Sequence, residues 1–446
     1  MLVKHTGGNI EMKIPHIRNA FEHIKDACDK RIAALYPVKV PEIVITRYNQ
    51  ELSYLRESEY LDEFEIFRLL SSEAEKSSQL LVLRGTDTGS YITYLLGNSL
   101  MNPLPTHYYC PNCGHFETVN TSLFGIDLPE TTCPECNTVM DADGFNVSIE
   151  SAWGLDGKKI MSFEYNISEE FRPFAKRVLE KLYPNNKIVS LGSLSKDNDK
   201  QVITMEESGF LVLPNGQTIS DYSEMQGYLE DGDLCLTGNA WNIREHNMRR
   251  ILLLSFNIEN NIVIMQRKTG IYINDISLKE LRSITWNDLI NTTALGDTES
   301  SLYRELKPKT FTDMIRIYGC AHDTFKDVEL SVFDNSWNLL QLMKKTEFVK
   351  FPCFTRDDVF DTALSLGLDN TEAFELSELI RKGRASRTPE ALDAFSLPDS
   401  FRVMAQRCLY LFPRAHCTSI LLTYAILAYY MKKDSRSFSR LVYKKK

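Results

Sequence analysis

The chain has 446 residues, of which 43% are hydrophobic and 25% are charged, and this composition predicts an ordinary soluble protein with room for about two or three cores. Its formal net charge of -9 argues against indiscriminate binding to nucleic acid, which depends on clustered Lys and Arg. No apolar run approaches the roughly 20 residues of a membrane helix, and no signal-peptide pattern opens the chain. We therefore expect a cytoplasmic protein without a membrane partner.

The first part of the chain predicts helices and then a strand. Apolar spacing predicts one helix over residues 17–35 and two more across 42–75, broken near Glu57. A short strand at 80–83 leads into a small-residue turn at 84–90 and a helix over 91–100. Such a turn presents backbone N–H groups at a helix start, where they can hold an anion beside Arg84. The alternative is that glycine is needed there for steric reasons.

Four cysteines form the most specific chemical pattern, two Cys-Pro-x-Cys motifs with nineteen residues, 114–132, between them. They are Cys110, Cys113, Cys133 and Cys136. Each motif directs two sulfurs at one ion, so the pair predicts a single structural zinc site with a closed shell of four thiolates. The alternative is four unpaired or disulfide-bonded cysteines. The other six cysteines are expected to be reduced thiols.

The remaining pattern predicts a mixed α and β region followed by a mainly helical one. After the cysteines we expect a strand at 162–166, an N-cap at Ser168 for a helix ending at 182, and a polar, turn-rich segment at 192–200. Buried strands are predicted at 210–213 and 251–256, with 261–266 as a further candidate. Mixed content continues to about 302, and the helices predicted beyond 308 span 311–317, 336–342, 357–366, 372–381, 400–411 and 416–431.

Several segments, in the same order, resemble the PolC-type DNA polymerase III alpha subunit: residues 41–55, 83–90, 102–113, 166–173, 304–319 and 381–416. The resemblance is strongest at 102–113, at Lys-Pro-Lys-Thr-Phe (307–311) and at Leu-Phe-Pro-Arg-Ala-His (411–416). In that family these segments lie in the palm, the zinc-bearing insertion and the fingers. Most of residues 10–440 follow the family's core, and none resembles its exonuclease, PHP, helix-hairpin-helix or OB-fold modules, so a truncated, degenerate paralogue is expected.

The resemblance implies an α+β fold. Its expected parts are a palm-type mixed sheet of the bacterial family C, nucleotidyltransferase-like kind, a zinc-ribbon insertion, and helical thumb and fingers parts. The implied domains are a helical thumb-like segment at 1–78, a palm-like α/β domain at 79–302 with the insertion at 103–150, and a helical fingers-like domain at 303–446.

The resemblance also locates the family's metal site. Two-metal nucleotidyl transfer needs carboxylates that fix two divalent ions, and the family supplies three aspartates. Aligning Asn-Ile-Ser (166–168) with the family's Asn-x-Ser motif places Ser162 and Glu164 at two of those positions, and Leu252 falls near the third, within a residue or two. No Asp or Glu occurs between residues 247 and 256. Catalytic residues and a catalytic Mg²⁺ pair are therefore not expected.

Other residues match the family's nucleotide-binding and DNA-binding positions. The implied binding residues are Arg84, Gly85, Thr86, Ser90, Arg381, Lys382, Arg384, Arg414 and His416. The alternative is that these residues preserve the fold rather than contact a ligand, and for His416 both roles stay open.

Three functions follow as hypotheses. In the first, the chain is an inert polymerase paralogue that retains a surface for primer-template or duplex DNA, or for nucleotide, and regulates or competes at replication. In the second, it is a docking module or decoy for a replication protein. In the third, it is an active DNA-directed DNA polymerase in which Glu164 works with Glu169, Asp221 or Glu245 in a rearranged site.

Overall fold

The chain folds around a seven-stranded mixed sheet. The structure is a computed structural model that describes residues 16–97, 100–184, 187–197, 202–325, 343 and 354–442. In chain order, the strands are β1 (Leu81–Arg84), β2 (His107–Tyr109), β3 (Phe116–Thr118), β4 (Asp141–Asp143), β5 (Glu164–Ile167), β6 (Ile188–Asp197), β7 (Val202–Val212), β8 (Gln226–Tyr228), β9 (Leu234–Thr237), β10 (Arg249–Ser255), β11 (Thr324–Phe325) and β12 (Cys408–Tyr410).

The large sheet has the strand order β1-β5-β10-β7-β6-β9-β8. Strand β5 pairs antiparallel with β1 and parallel with β10, so it lies between the first and third strands of the sheet. Strands β6 and β7 form a long antiparallel hairpin. Strands β2, β3 and β4 form a separate three-stranded sheet, and β11 pairs with β12.

Helices precede, interrupt and follow the sheet. They are α1 (Ala20–Leu35), α2 (Glu42–Glu57), α3 (Leu61–Lys76), α4 (Tyr91–Leu96), α5 (Ile149–Trp153), α6 (Arg172–Leu182), α7 (Ala240–Glu245), α8 (Asn257–Thr269), α9 (Leu278–Leu281), α10 (Trp286–Asn291), α11 (Asp297–Leu306), α12 (Phe311–His322), α13 (Arg356–Ser365), α14 (Asn370–Arg381), α15 (Arg384–Arg387), α16 (Asp399–Ala405), α17 (Arg414–Lys433) and α18 (Ser435–Val442). None of these described helices is long and apolar enough to cross a membrane.

One face of the sheet is fully covered. Alternate residues of a strand point to opposite faces, and on β10 the side chains of Ile251 and Leu253 are buried whereas Arg250 and Leu252 are only partly buried. The buried face packs in one core with α1 to α6. The opposite face is covered at one end by α8 and α17, which leaves its middle accessible to solvent.

Helix α17 is the most buried long helix of the described chain. Sixteen of its twenty residues are buried, as expected for a helix surrounded by packing partners on every side. It contacts β1, α8, α10 and α12. The helix therefore joins the carboxyl-terminal helices to the sheet.

Most sequence-based helices are present, with shifted ends. The first three predicted helices correspond to α1, α2 and α3, and the apolar stretch at 80–83 corresponds to β1. The helix predicted over 91–100 is α4, which ends at Leu96. The stretch predicted as helix at 400–411 divides into α16 and β12. The helix predicted at 336–342 lies outside the described residues.

Two stretches around the large sheet were assigned wrongly. The segment at 192–200 was expected to be turn-rich, but its described part continues β6, because cross-strand pairing with β7 satisfies a backbone that carries mainly Ser and Gly. At Gly192 an added Cβ would lie 2.6 Å from the sulfur of Cys235, so glycine is needed for close approach. The candidate strand at 261–266 lies within α8, which ends at Thr269 and is followed by Gly270 with a φ of 70°. A short apolar run does not distinguish strand from helix by periodicity alone.

Ser168 is not the predicted helix N-cap. Its hydroxyl donates to Oε1 of Gln79 at 2.8 Å and accepts from the backbone N–H of Leu80 at 3.3 Å. A short 3-10 turn, Glu169–Phe171, follows, and α6 begins at Arg172. A partner brought in from the segment before β1 therefore replaces the local capping bond.

Candidate functional site

The four cysteines of the two motifs converge at one point. Their sulfur atoms all lie within 4.8 Å of one another, and the Sγ atoms of Cys110 and Cys136, like those of Cys113 and Cys133, are 3.4 Å apart. A tetrahedral shell with metal–sulfur bonds near 2.3 Å requires sulfurs about 3.8 Å apart. The cluster therefore fits one structural metal ion.

The two cysteine motifs have matching backbone bonds. In the first, Cys110 N–H donates to His115 and Gly114 N–H donates back to Cys110. In the second, Cys133 N–H donates to Thr138 and Asn137 N–H donates back to Cys133. Gly114 and Asn137 both have positive φ, at 74° and 57°, a conformation that Gly and Asn tolerate best. Each turn thereby directs its two sulfurs to the same side.

Residues 107–143, from β2 to β4, carry the four cysteines and form the cysteine lobe. This lobe contacts the carboxyl-terminal helices at the N-terminus of α12. The carboxylate of Asp127 accepts from the N–H groups of Phe311 and Thr312 at 2.8 and 2.6 Å, and from the Thr312 hydroxyl at 2.6 Å. These N–H groups open α12 and have no partner within the helix. The lobe and α12 therefore share a hydrogen-bonded contact.

The positions expected for metal carboxylates lie in the middle of the large sheet. Glu164 is directly opposite Arg84 on β1 and in register with Leu252 on β10. Residues in register share a face, so an alignment shift of two residues on β10 would replace Leu252 with Leu254 on the same face. The central sheet therefore presents one carboxylate here, that of Glu164.

Glu164 lies between two guanidinium groups. Its carboxylate oxygens are 3.8 Å from Nε of Arg84 and 3.9 Å from a terminal nitrogen of Arg250. All three side chains are between 25% and 31% exposed. The row formed by one carboxylate and two guanidinium groups carries a net charge of +1.

Ser162 lies beside a carboxylate that the sequence analysis did not select. Its N–H, and that of Phe163, donate to Oδ2 of Asp87 at 2.9 and 2.8 Å, and its hydroxyl lies 3.3 Å from the same atom. Burial raises the pKa of Asp87, although these bonds oppose the rise. Asp87 is thus held inside the protein by the chain that precedes β5. In the sequence, Asp87 stands out only as an acid within the small-residue turn at 84–90.

The helix start after the 84–90 turn already holds an internal anion. Glu51 of α2 is fully buried, and its carboxylate accepts from the N–H groups of Tyr91 and Ile92 at 2.9 and 3.1 Å and from the Ser90 hydroxyl at 2.5 Å. Arg47 donates to the same carboxylate at 2.6 Å. The expectation that Ser90 faces a nucleotide is therefore corrected, because the hydroxyl and the helix start are both occupied by Glu51.

The other turn residues have different partners. Gly85 has a φ of 86°, and its N–H donates to Nδ1 of His416 at 2.9 Å. Thr86 is partly buried, with its hydroxyl 3.4 Å from Oδ1 of Asp87. Burial, followed by the nearby charge of Arg84, lowers the pKa of His416 to about 3. The imidazole is therefore neutral near pH 7, with its proton on Nε2 because Nδ1 accepts from Gly85.

His416 lines a cavity of about 240 Å³ between the sheet and the helices α8, α12 and α17. Arg84 and Asn166 line it from the sheet, Glu259 lines it from α8, and the aromatic rings of Phe412 and Tyr424 line the opposite side. Glu259 accepts from the amide of Asn166 at 3.0 Å, and burial raises its pKa to about 7. Glu259 could not be singled out from the sequence, since an acid in the first turn of a helix is common.

Arg414 does not face this cavity. It is fully buried and is paired with Asp358 at 2.9 Å and Asp361 at 2.7 Å, while its backbone N–H donates to Asp357 at 2.8 Å. A further bond reaches the carbonyl of Asn146 at 2.5 Å. The expectation that Arg414 contacts a nucleotide is therefore corrected, because three acids of α13 already surround it.

The basic residues at the end of α14 border another cavity, of about 710 Å³. Arg381 and Lys382 line it together with Lys158 and Lys159, and Asp156 and Glu378 are its acids. Burial alone would raise the pKa of Glu378. The hydrogen bond and charge of Arg381, with a further bond from Lys382, outweigh burial and lower this pKa to about 2. Arg384 is exposed and lies outside the lining of this cavity. This cleft can attract an anionic ligand.

The acids considered for a rearranged metal site have other roles. Glu169 is paired with Arg172 at 3.2 Å, Asp221 accepts from the N–H of Thr218 at 2.7 Å, and Glu245 ends α7. Across the part of the chain that the structure describes, the four cysteines are the only group of three or more His, Cys, Asp or Glu side chains close enough to share an ion.

Comparison with known proteins shows similarity to one group of proteins. Residues 22–209 match the family model described as the bacterial DNA polymerase III alpha NTPase domain. The chain is 25% identical to the PolC-type DNA polymerase III of Caldanaerobacter subterraneus subsp. tengcongensis over 473 aligned residues, which cover 93% of the chain. Over this length the chain is similar in sequence to PolC-type DNA polymerase III.

Further relatives carry the same description. PolC-type DNA polymerase III of Thermotoga maritima is 24% identical to the chain, with 93% of the chain covered. The protein of Bacillus subtilis is also 24% identical, with 94% covered. The chain spans about a third of the length of these relatives, which is 33%, 34% and 33% of the three proteins.

Proposed function

We propose that the chain is a catalytically inert paralogue of the PolC-type DNA polymerase III core, which binds DNA or nucleotide and acts in regulation or competition at replication. The observation that carries this proposal is the environment of Glu164, a single carboxylate flanked by Arg84 and Arg250 and in register with Leu252. This arrangement stands where the family resemblance expects three aspartates.

The chemistry of two-metal catalysis explains why this environment favours an inert protein. Two divalent ions held about 4 Å apart need several carboxylates to balance their charge. Here one carboxylate is matched by two guanidinium groups, and a leucine offers no ligand. Metal binding at this place would have to overcome a positive rather than a negative local charge. We therefore do not expect a catalytic Mg²⁺ pair.

Retained binding of an anionic ligand is supported by the cleft at the end of α14. Three cationic side chains, those of Lys158, Arg381 and Lys382, face it with two acids, whereas burial lowers the pKa of the fourth basic residue, Lys159. Phosphate groups of DNA or nucleotide are anions that Lys and Arg recognise by charge and by donated hydrogen bonds. In this proposal the cleft supplies part of the affinity.

The proposal assigns supporting roles to the remaining parts. Residues 1–78 act as a thumb-like segment, 79–302 as a palm-like domain and 303–446 as a fingers-like domain. The four-cysteine cluster holds zinc, because a shell made only of thiolates suits that metal and leaves no open position for chemistry. Zinc is therefore structural in this proposal.

Primer extension on a primer-template duplex tests the catalytic half of the proposal. We expect no product with Mg²⁺ or Mn²⁺ at any concentration, alongside measurable binding of the same duplex by fluorescence anisotropy at low salt. Extension that disappears in Glu164→Ala would overturn the proposal in favour of an active polymerase. Extension that persists in Glu164→Ala would also overturn it and would place the active site elsewhere.

A second candidate function, a protein-docking module or decoy, is favoured by a different groove. This groove, of about 770 Å³, is lined by five acids and one arginine: Glu169, Glu206, Glu207, Glu230, Asp231 and Arg172. Such a surface repels nucleic acid. Co-purification of a stoichiometric protein partner together with absent duplex binding would decide for docking, whereas duplex binding without a partner would decide for the first proposal.

A further inference from the structure

Arg84, Glu164 and Arg250 form a row on one face of the sheet. Loss of a metal site would not by itself place two arginines beside Glu164. Arg84 and Glu164 are directly opposite on adjacent strands, and Arg250 precedes the β10 partner of Glu164 by two residues. All three side chains therefore lie on the face of the sheet that α8 and α17 leave partly open. Two guanidinium groups thus point to the same region of solvent, on either side of one carboxylate.

Most of the hydrogen-bonding capacity of these arginines is unused. A guanidinium group has five N–H donors, and Arg84 uses one of them for Oδ1 of Asn166 at 3.4 Å. Within the described residues, the guanidinium group of Arg250 makes no hydrogen bond that meets ordinary geometric limits. The distances of 3.8 and 3.9 Å to Glu164 are too long for hydrogen bonds. The donors are therefore available to a ligand.

We propose that Arg84 and Arg250 bind a phosphate group directly, without a divalent ion, on the open face of the central sheet. The inference rests on the proposed function, because it names the groups that hold the phosphate of the bound DNA or nucleotide. The planar guanidinium fork matches the oxygens of a phosphate, and two forks on one sheet face can grip one phosphate from both sides. The two arginines thus contact the phosphate directly, whereas carboxylates at this place would contact it through metal ions.

Glu164 has a defined part in this site. Its negative charge holds two cations of like charge near each other when no ligand is present, and it repels the incoming phosphate. Removing that charge therefore favours binding. A carboxylate that served as a metal ligand would behave in the opposite way, since its removal would weaken metal-dependent binding.

The test measures binding of a fluorescent primer-template duplex by anisotropy, in magnesium-free buffer without chelator so that the cysteine cluster keeps its metal. Arg250→Gln should weaken binding about tenfold and reduce the slope of log K against log salt by about 1. Glu164→Gln should strengthen binding about threefold. The control is Arg177→Gln, an exposed arginine whose guanidinium lies 4.5 Å from the Phe174 ring centre; it should leave affinity unchanged.

A fluorescent deoxynucleoside triphosphate, measured in parallel, identifies the source of the phosphate. If Arg250→Gln weakens the duplex alone, the site takes a phosphodiester; if it weakens the triphosphate alone, the site takes a free nucleotide. Equal affinity of the wild type, Arg250→Gln and Glu164→Gln for both probes would overturn the inference and leave the proposed function standing. Strict dependence on added Mg²⁺ would overturn it as well. Failure of the wild type to bind either probe would instead remove the proposed function.

Thermal unfolding of each variant separates loss of binding from loss of fold. Arg250 and Glu164 are partly exposed, so substitution should move the unfolding midpoint by no more than a few degrees. Arg250→Lys gives a second measure, because it keeps the charge but loses the fork. We expect its affinity to fall between those of the wild type and Arg250→Gln, and an affinity below that of Arg250→Gln would contradict direct phosphate contact.

Discussion

At the scale of single residues, buried carboxylates supply the charges that the sequence suggested a ligand would supply. Glu51 caps the helix start after the 84–90 turn, and Asp87 accepts from the backbone before β5. A carboxylate that accepts several N–H bonds inside the protein satisfies donors that water or an anion would otherwise satisfy. The anion site that the 84–90 turn predicts is therefore occupied by an internal acid, Glu51.

Glu259 leads to a prediction about pH. Its pKa is raised from 4.5 to about 7 in the folded protein, so the folded state holds the proton more tightly than the unfolded state. Between pH 4.5 and 7, stability therefore falls as pH rises, by up to roughly 3 kcal/mol. Glu259→Gln keeps an acceptor for Asn166 and removes the titration. We expect urea unfolding to show the variant more stable than wild type at pH 8.

The difference between wild type and Glu259→Gln isolates this group from His416, whose pKa is lowered from 6.5 to about 3. His416 makes stability rise with pH across that interval, which is the opposite sign to Glu259. The free-energy difference between the two proteins should be small at pH 4.5 and largest above pH 7. A difference that does not change with pH would contradict the raised pKa.

At the scale of elements, the network around Arg414 joins α17 to α13 and to the chain after β4. Arg414 opens α17, pairs with Asp358 and Asp361, and donates to the carbonyl of Asn146. Removing one partner of a buried ion pair leaves the other charge uncompensated. Arg414 therefore has a structural role in this chain.

Arg414→Ala should destabilise the protein by about 3–5 kcal/mol, because it removes the cation that Asp358 and Asp361 share, and Arg316, 3.4 Å from Asp358, can compensate only that acid. Chemical denaturation measures this loss, and Arg384→Ala, at an exposed arginine, should change stability by less than about 0.5 kcal/mol. An Arg414→Ala protein of unchanged stability with reduced nucleotide affinity would restore the ligand-binding interpretation.

At the scale of the whole molecule, the cysteine lobe is coupled to the rest of the fold. Asp127 bonds the lobe to the start of α12, and α12 packs against α17. Metal binding energy contributes to folding energy when the ligands are brought together by the fold. Loss of the metal should therefore weaken the carboxyl-terminal helices as well as the lobe.

We expect metal analysis of the purified protein to find about one zinc per chain. Cys133→Ser should reduce that content and lower the midpoint of thermal unfolding by about 5 °C or more, and a chelator should have a similar effect on wild type. Cys235→Ser removes a buried cysteine outside the cluster and should keep the zinc and its sensitivity to chelator. A metal-free, fully folded wild type would rule out the structural role.

Local patterns predicted a large part of the architecture. Helical spacing gave α1, α2 and α3 nearly to their ends, and an apolar run gave β1. The hairpin of β6 and β7 and the helix α8 were missed, since the first depends on cross-strand pairing and the second on a run too short to show its period. Glu51 lies among the buried residues of α2, and an acid among apolar helix positions is a sequence signal for a buried carboxylate.

Chemistry that depends on residue type and short spacing could be read from the amino-acid sequence. This applies to the two cysteine motifs and to the lack of acids along residues 247–256, because neither can be altered by folding. Only the tertiary structure decided that Arg250 joins Arg84 beside Glu164, that Glu51 caps a distant helix and that Arg414 is enclosed by α13. These contacts join residues far apart in the chain, and their formation depends on how sheet and helices pack rather than on any local period.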